Sequence, residues 1–132
     1  MGYAQFEKQK QSPTGWATAG TASSVYTVVG STGKWRLARA WFTPDVTAAI
    51  DATNTSTLTI KNGSTSLGTL SNAATAFTAG TAREFTLSGG TALEFSAGDE
   101  VEFAKSVAAS GTAITGEFTL VFEKVQADTT YV

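Results

Sequence analysis

The chain has 132 residues and a formal net charge of −2, with only 15% of residues charged, against about 25% in an average soluble domain. It contains neither cysteine nor histidine, which excludes disulfides, thiolate nucleophiles, histidine-based triads and nearly every zinc site. The slightly acidic balance leaves no footprint for a nucleic-acid backbone, and no apolar run is long enough to span a bilayer.

Residues 1–23 form a polar stretch with isolated aromatics, Tyr3, Phe6 and Trp16, and Lys8 and Lys10 are its only cations. No helical period runs through it, and the aromatics are spaced too irregularly for an amphipathic element. It reads as an extended N-terminal arm that lies across a partner, anchored by Tyr3, Phe6 and Trp16 with Lys8 and Lys10 beside them. The opening residues, MGYAQFEKQKQSPTGW, lack the apolar run of a secretion signal, so the expectation is a soluble protein made in the cytoplasm.

From Ser24 onward, short apolar runs alternate with Gly, Ser, Asn and Asp, the pattern of an all-β chain. SVYTVV (24–29) is β-branched and GSTGK (30–34) reads as a turn. KWRLARAWFT (34–43) is the longest strand-like run, stopped by Pro44, which cannot donate to a ladder. Residues 45–56 read as a loop crossing one end of the sheet. TLTIKNG (57–63) puts Leu58 and Ile60 on one face and ends at Asn62-Gly63, a dipeptide suited to a hairpin turn. SLGTLS (66–71) returns as a short strand, and 73–82 is a loop.

Further on, REFTLS (83–88) turns Phe85 and Leu87 inward, ALEF (92–95) places Leu93 and Phe95 together, and DEVEFAK (99–105) sets Val101 and Phe103 inward. After the small-residue stretch 106–113, ITGEFTLVFEKV (114–125) faces Phe118, Leu120 and Phe122 to a core and Glu117, Thr119 and Glu123 to water. About eight strands with no convincing helix predict one two-sheet antiparallel β-sandwich over 24–125, jelly-roll-like ahead of immunoglobulin-like. The extended arm (1–23) precedes it and a C-terminal tail (126–132) follows.

The densest ionisable cluster is LEFSAGDEVEFAK (93–105), with Glu94, Asp99, Glu100 and Glu102 close together. On pleated strands these carboxylates alternate with Leu93, Phe95, Val101 and Phe103, so they read as the wet halves of two amphipathic strands. Calcium-loop spacing is absent. Glu117 and Glu123 share a face but sit about 20 Å apart at about 3.3 Å per residue, too far for a glycosidase pair. No catalytic, cofactor-binding or metal-ligating residue is therefore assigned, and the chain is read as no enzyme. In KWRLARAWF, Trp35 and Leu37 are assigned to the core, and Arg36 is read as an inter-subunit contact. Arg39 falls on the core side of that alternation, which calls for a bulge or an edge position.

The succession WRLARAWFTPDVT, TLTIKNGSTSLGTLS, an FTL strand, ALEFSAGDEVEF and a closing GEFTLVFEKV resembles the small jelly-roll decoration (cement) proteins of tailed bacteriophages. The resemblance covers about residues 24–125. It implies a homotrimeric or homodimeric virion protein on the outer surface of an expanded capsid, clamping neighbouring copies of the major capsid protein, with no catalytic residues to carry over. The competing expectation is a β-sandwich binding module, such as a tail-fibre or tailspike head or a carbohydrate-binding domain. It would use Trp16, Trp41 or Phe42 as an aromatic platform.

Overall fold

The computed structural model describes residues 6–28 and 33–125. Among the described residues nine strands run in chain order: β1 (Phe6–Gln11), β2 (Gly20–Thr27), β3 (Lys34–Pro44), β4 (Ser56–Asn62), β5 (Thr65–Ser71), β6 (Arg83–Glu84), β7 (Glu94–Ser96), β8 (Glu100–Val107) and β9 (Gly116–Lys124). One sheet has the order β1-β9-β3-β6, with β7 also on β3, and the other the order β2-β8-β4-β5. Every strand pairing is antiparallel. The first strand thus pairs with the last, the second with the second-last, the third with β6 and β7, and β4 with β5. That nesting is one long antiparallel ribbon wrapped into two sheets, a jelly roll. The ribbon folds at Gly63-Ser64, where Gly63 takes φ 60° and no non-glycine residue needs a positive φ.

Period-2 alternation builds the core. Leu58 and Ile60 from β4, Val101 and Phe103 from β8, and Phe118, Leu120 and Phe122 from β9 are all essentially buried. On β3 the register shifts between Leu37 and Arg39. This bulge absorbs Ala38, so Trp35 and Leu37 point inward before it and Ala40 and Phe42 after it. Arg39 and Trp41 turn outward as a result. At one end of the sandwich, the buried Asn72 ties two loops together. Its Oδ1 accepts from Ser56 N at 2.8 Å, its Nδ2 donates to Ala49 O at 2.8 Å, and its carbonyl accepts from Asp51 N at 2.9 Å.

The arm expected over 1–23 is extended, but its described part is woven into the sandwich. Residues 6–11 form an edge strand on β9, and 20–27 form the edge of the other sheet, so a boundary after residue 23 falls inside β2. The inward positions of β1 are Glu7, Gln9 and Gln11, and those of β2 include Ala22 and Ser24. Polar and small inward residues erase the apolar alternation that announces a strand. Trp16, expected as a partner anchor, is 1% exposed and packs edge-on against Phe118 at 5.8 Å. Tyr3, the tail 126–132 and most of the turn 30–34 lie outside the described residues. Of the expected strand 83–88 only Arg83–Glu84 pairs; the chain then runs along β5, with Ser88 N donating to Leu67 O at 2.9 Å. ALEF opens as a 3-10 turn over Gly90–Leu93 before β7.

The crossover between β1 and β2 is held from inside the sandwich. Lys105 is 4% exposed, and its Nζ donates to Trp16 O at 2.9 Å and to Thr18 O. Trp16 Nε1 is buried with no hydrogen-bond partner, so the indole serves through its ring area. Trp16→Ala is expected to cost about 3–5 kcal/mol in urea unfolding, and Trp16→Phe well under half of that. Lys105→Met strands two carbonyls and is expected to cost about 1–3 kcal/mol. Burial pushes the Lys105 ammonium below the ordinary lysine range. Its contribution is therefore complete above that range and is lost as pH falls through the lowered value. Unfolding curves at successive alkaline pH values should show the wild type gaining on Lys105→Met as pH rises through this window; a constant difference would show a solvated ammonium.

Candidate functional site

Residues opposite each other on an antiparallel ladder share a face. Across the outer face of the β9 sheet, Phe6 stands opposite Glu123, Glu123 opposite Arg36, and Arg36 opposite Glu94. The next rows are Lys8, Val121 and Arg39, then Lys10, Thr119, Trp41 and Glu84. Four of the residues singled out in the sequence, Phe6, Lys8, Lys10 and Arg36, therefore meet on one outer face. Phe6 is 60% exposed there. Trp16 is not among them, because the crossover carries it into the core.

Charge on this face is largely paired, but not completely. Arg39 donates from Nε and Nη2 to the two carboxylate oxygens of Glu84 at 2.9 and 3.0 Å. Its guanidinium also lies 4.6 Å from the Trp41 ring centroid. Lys10 approaches Glu117 at 3.9 Å and Lys34 approaches Glu94 at 3.8 Å, distances at which exposed pairs contribute little. Lys8 and Arg36 have no ion-pair partner among the described residues. Lys8, Trp41, Thr43, Ala82, Thr119 and Val121 line a shallow groove of about 300 Å³.

The carboxylate cluster is divided by the change of sheet between β7 and β8. Glu94 lies on the β9 sheet beside Lys34, whereas Glu100 and Glu102 lie on the outer face of the β8 sheet. Asp99 closes the turn between the two strands, its Oδ2 accepting from Ser96 N at 2.8 Å. Among the described residues no group of three potential metal ligands converges. Asp99, Glu100 and Glu102 line an open hollow with Val25, Asn62 and Gly63. That outer face also carries the small hydroxyl side chains of Thr21, Ser23, Thr59 and Ser106, and Lys61 opposite Glu102. Both outer faces thus carry both signs of charge, since Glu84, Glu94, Glu117 and Glu123 stand among the cations of the β9 face.

Shifted ionisations follow local hydrogen bonds. The Arg39 fork holds the Glu84 carboxyl below the ordinary range, and Glu84 in turn raises the Arg39 pKa. Asp51 is lowered by the backbone N–H groups of Asn54 and Thr53, a turn-forming role. Burial lowers Arg83, which donates to Ser71 O at 2.7 Å and Thr75 O at 3.1 Å while covering the Phe77 ring. None of these groups faces another across a cleft in the way acid–base catalysis requires. Sequence reading missed Arg39 and Glu84 as a pair. Their contact joins residues 45 positions apart through a two-residue strand that no periodicity announces.

No protein-family model matches the chain, and no curated protein was found to match it. Among solved structures, a chain of tobacco necrosis virus is similar, at 9% identity and a TM-score of 0.41, with 96% of this chain and 98% of that chain covered. At that identity and score the likeness carries no inference about function.

The outer-face fork is directly testable. In a carboxylate NMR titration, Glu84 should ionise below the ordinary range in the wild type and return to it in Arg39→Ala. Because the folded value is the depressed one, the contribution of the pair is present above the ordinary carboxylate range and lost as pH falls through the lowered value. Trp41 emission should shift in the same variant, since the guanidinium leaves its ring. An unchanged Glu84 titration would show the fork to be absent in solution.

Proposed function

We propose that this chain is a non-catalytic structural protein of a virion, decorating the outer surface of a phage capsid and clamping neighbouring major capsid subunits. The carrying observation is the gathering of Phe6, Lys8, Lys10 and Arg36 on one outer face of the β9 sheet, with only a shallow groove beside them. A face of this kind suits a broad protein surface better than a small substrate. Lys8 and Arg36, which form no ion pair among the described residues, are available to carboxylates of a partner surface, and the hollow lined by Asp99, Glu100 and Glu102 then points away from it. The resemblance of residues 24–125 to decoration proteins supports the same reading.

Size argues for more than one copy. Strands β1, β9 and β3 with the short β6 and β7, at about 3.3 Å per residue and about 4.8 Å apart, offer roughly 500 Å². That is below the roughly 800 Å² per partner of a standard stable interface. One copy alone would bind weakly, and a homodimer or homotrimer would hold through linked contacts, with Arg36 between subunits or at the capsid.

The decisive experiment is saturable binding to expanded, undecorated capsids of the virus that encodes the chain. Lys8→Glu combined with Arg36→Glu should weaken binding at least tenfold, about 1.4 kcal/mol. Thr59→Glu on the opposite face should leave it unchanged. Equal loss from both faces, or no capsid binding by the wild type, overturns the proposal.

The binding-module reading now rests on one residue. Trp16 and Phe42 are buried, and Trp41 alone stays half-exposed beside the groove. Glycan binding that disappears in Trp41→Ala would favour that reading over the capsid.

A further inference from the structure

We infer that β1 is an exchangeable strand, which one copy of this chain can place on β9 of a second copy. Three features of the first twenty residues carry this, and none depends on a capsid.

First, β1 brings no apolar side chain to the buried core among the described residues, only the Oε1 of Gln9 reaching a buried position. Its inward positions are the half-buried Glu7, Gln9 and Gln11, and its apolar residue, Phe6, is 60% exposed on the outer face. β1 is held by its ladder to β9, from Phe6 opposite Glu123 to Gln11 opposite Phe118, with the Lys10–Glu117 approach and the contacts of the Gln9 side chain added. Second, release of β1 would stop where the core begins. Trp16 is 1% exposed, and Lys105 grips the carbonyls of Trp16 and Thr18, so the crossover stays in place when β1 leaves. Third, Ser12-Pro13-Thr14-Gly15 lies between the two as a hinge, and Gly15 adopts φ 78°.

The occupant of a vacated β9 edge follows from the register. Only another β1 restores every ladder contact together with the approach to Glu117. Simple edge-to-edge addition is disfavoured, because the free edge of β1 carries Lys8 and Lys10, which repel a second such edge. Exchange, not addition, is the route the strand permits.

The closed monomer has an entropic advantage that sets the scale. With identical contacts in both forms, the exchanged dimer dissociates at about the effective concentration of the tethered strand, on the order of 1 mM for a short linker. The wild type should therefore be monomeric at micromolar concentration and enter dimers as the concentration nears that value. A Cβ built at Gly15 meets nothing within 4 Å, so Gly15→Val strains only the backbone of the closed hinge. Opening both hinges relieves that strain and should lower the midpoint by about tenfold per hinge, to the order of 10 µM.

Sedimentation equilibrium of the wild type and Gly15→Val reads this shift, with circular dichroism confirming that both are folded. The absence of cysteine allows a second reading. Lys8→Cys chains are mixed with Val121→Cys chains at about 1 mM and oxidised, since positions 8 and 121 are ladder partners. Exchange yields the 8–121 heterodimer in several-fold excess over either homodimer. Linked dimers in statistical proportion overturn the inference, as does Gly15→Val remaining monomeric up to about 1 mM. A Gly15→Val dimer without the 8–121 link also overturns it, because association would then use another surface.

Discussion

The contact on which the rest of this sandwich depends is the stack of Phe118 on Phe103. The two rings lie 4.2 Å apart at 17° between planes, one from the central strand of each sheet. Phe118 also meets Phe42 at 4.9 Å, Trp16 at 5.8 Å and Phe85 at 6.0 Å. One side chain thereby joins both sheets, the crossover that follows β1 and the loop that follows β6. In a chain without disulfides, such aromatic packing supplies much of the cohesion, since each buried ring brings large area and a preferred geometry. With the inner faces committed to one another, only the outer faces and the strand edges remain for partners.

Wrapping the ribbon decides which residues share those outer faces. Because the first strand pairs with the last, Phe6, Lys8 and Lys10 come beside β9, and β9 places them within two strands of Arg36. Residues nearly the whole chain apart in sequence become one surface. The same wrapping separates Glu94 from Glu100, which are six positions apart but lie on opposite sheets. Proximity in sequence and proximity on the surface are close to inverted in this topology.

Legibility in the sequence tracked apolar alternation. The runs 57–63, 99–105 and 114–125 alternate well enough to be read as strands and became β4, β8 and β9 with Leu58, Ile60, Val101, Phe103, Phe118, Leu120 and Phe122 buried, β8 running on to Val107 past the inward Lys105. The misplaced Arg39 in KWRLARAWF called for either a bulge or an edge position, and a bulge lies there. Hidden from such reading were β1 and the first half of β2, residues 20–23, whose inward positions are polar or small, and Trp16, whose burial depends on a crossover held by Lys105. Nothing local to SPTGW distinguishes a core tryptophan from a surface one; the deciding contacts come from residues about a hundred positions away. The Arg39–Glu84 fork was invisible for the same reason.

Folding energy and candidate recognition thus reside on different atoms of the same strands. The inward residues of β3, β4, β8 and β9 hold the two sheets together, whereas Lys8, Lys10, Arg36 and Trp41 project from the far side and take no part in the core. Surface substitutions away from special features usually change stability by less than about 0.5 kcal/mol. Changes at Lys8 or Arg36 therefore report on what the outer face meets and leave the sandwich intact. Trp16 behaves oppositely, since its ring belongs to the Phe118 cluster and a change there would be felt through the whole fold. That division lets the β9 face vary to match a partner surface while the aromatic stack stays constant.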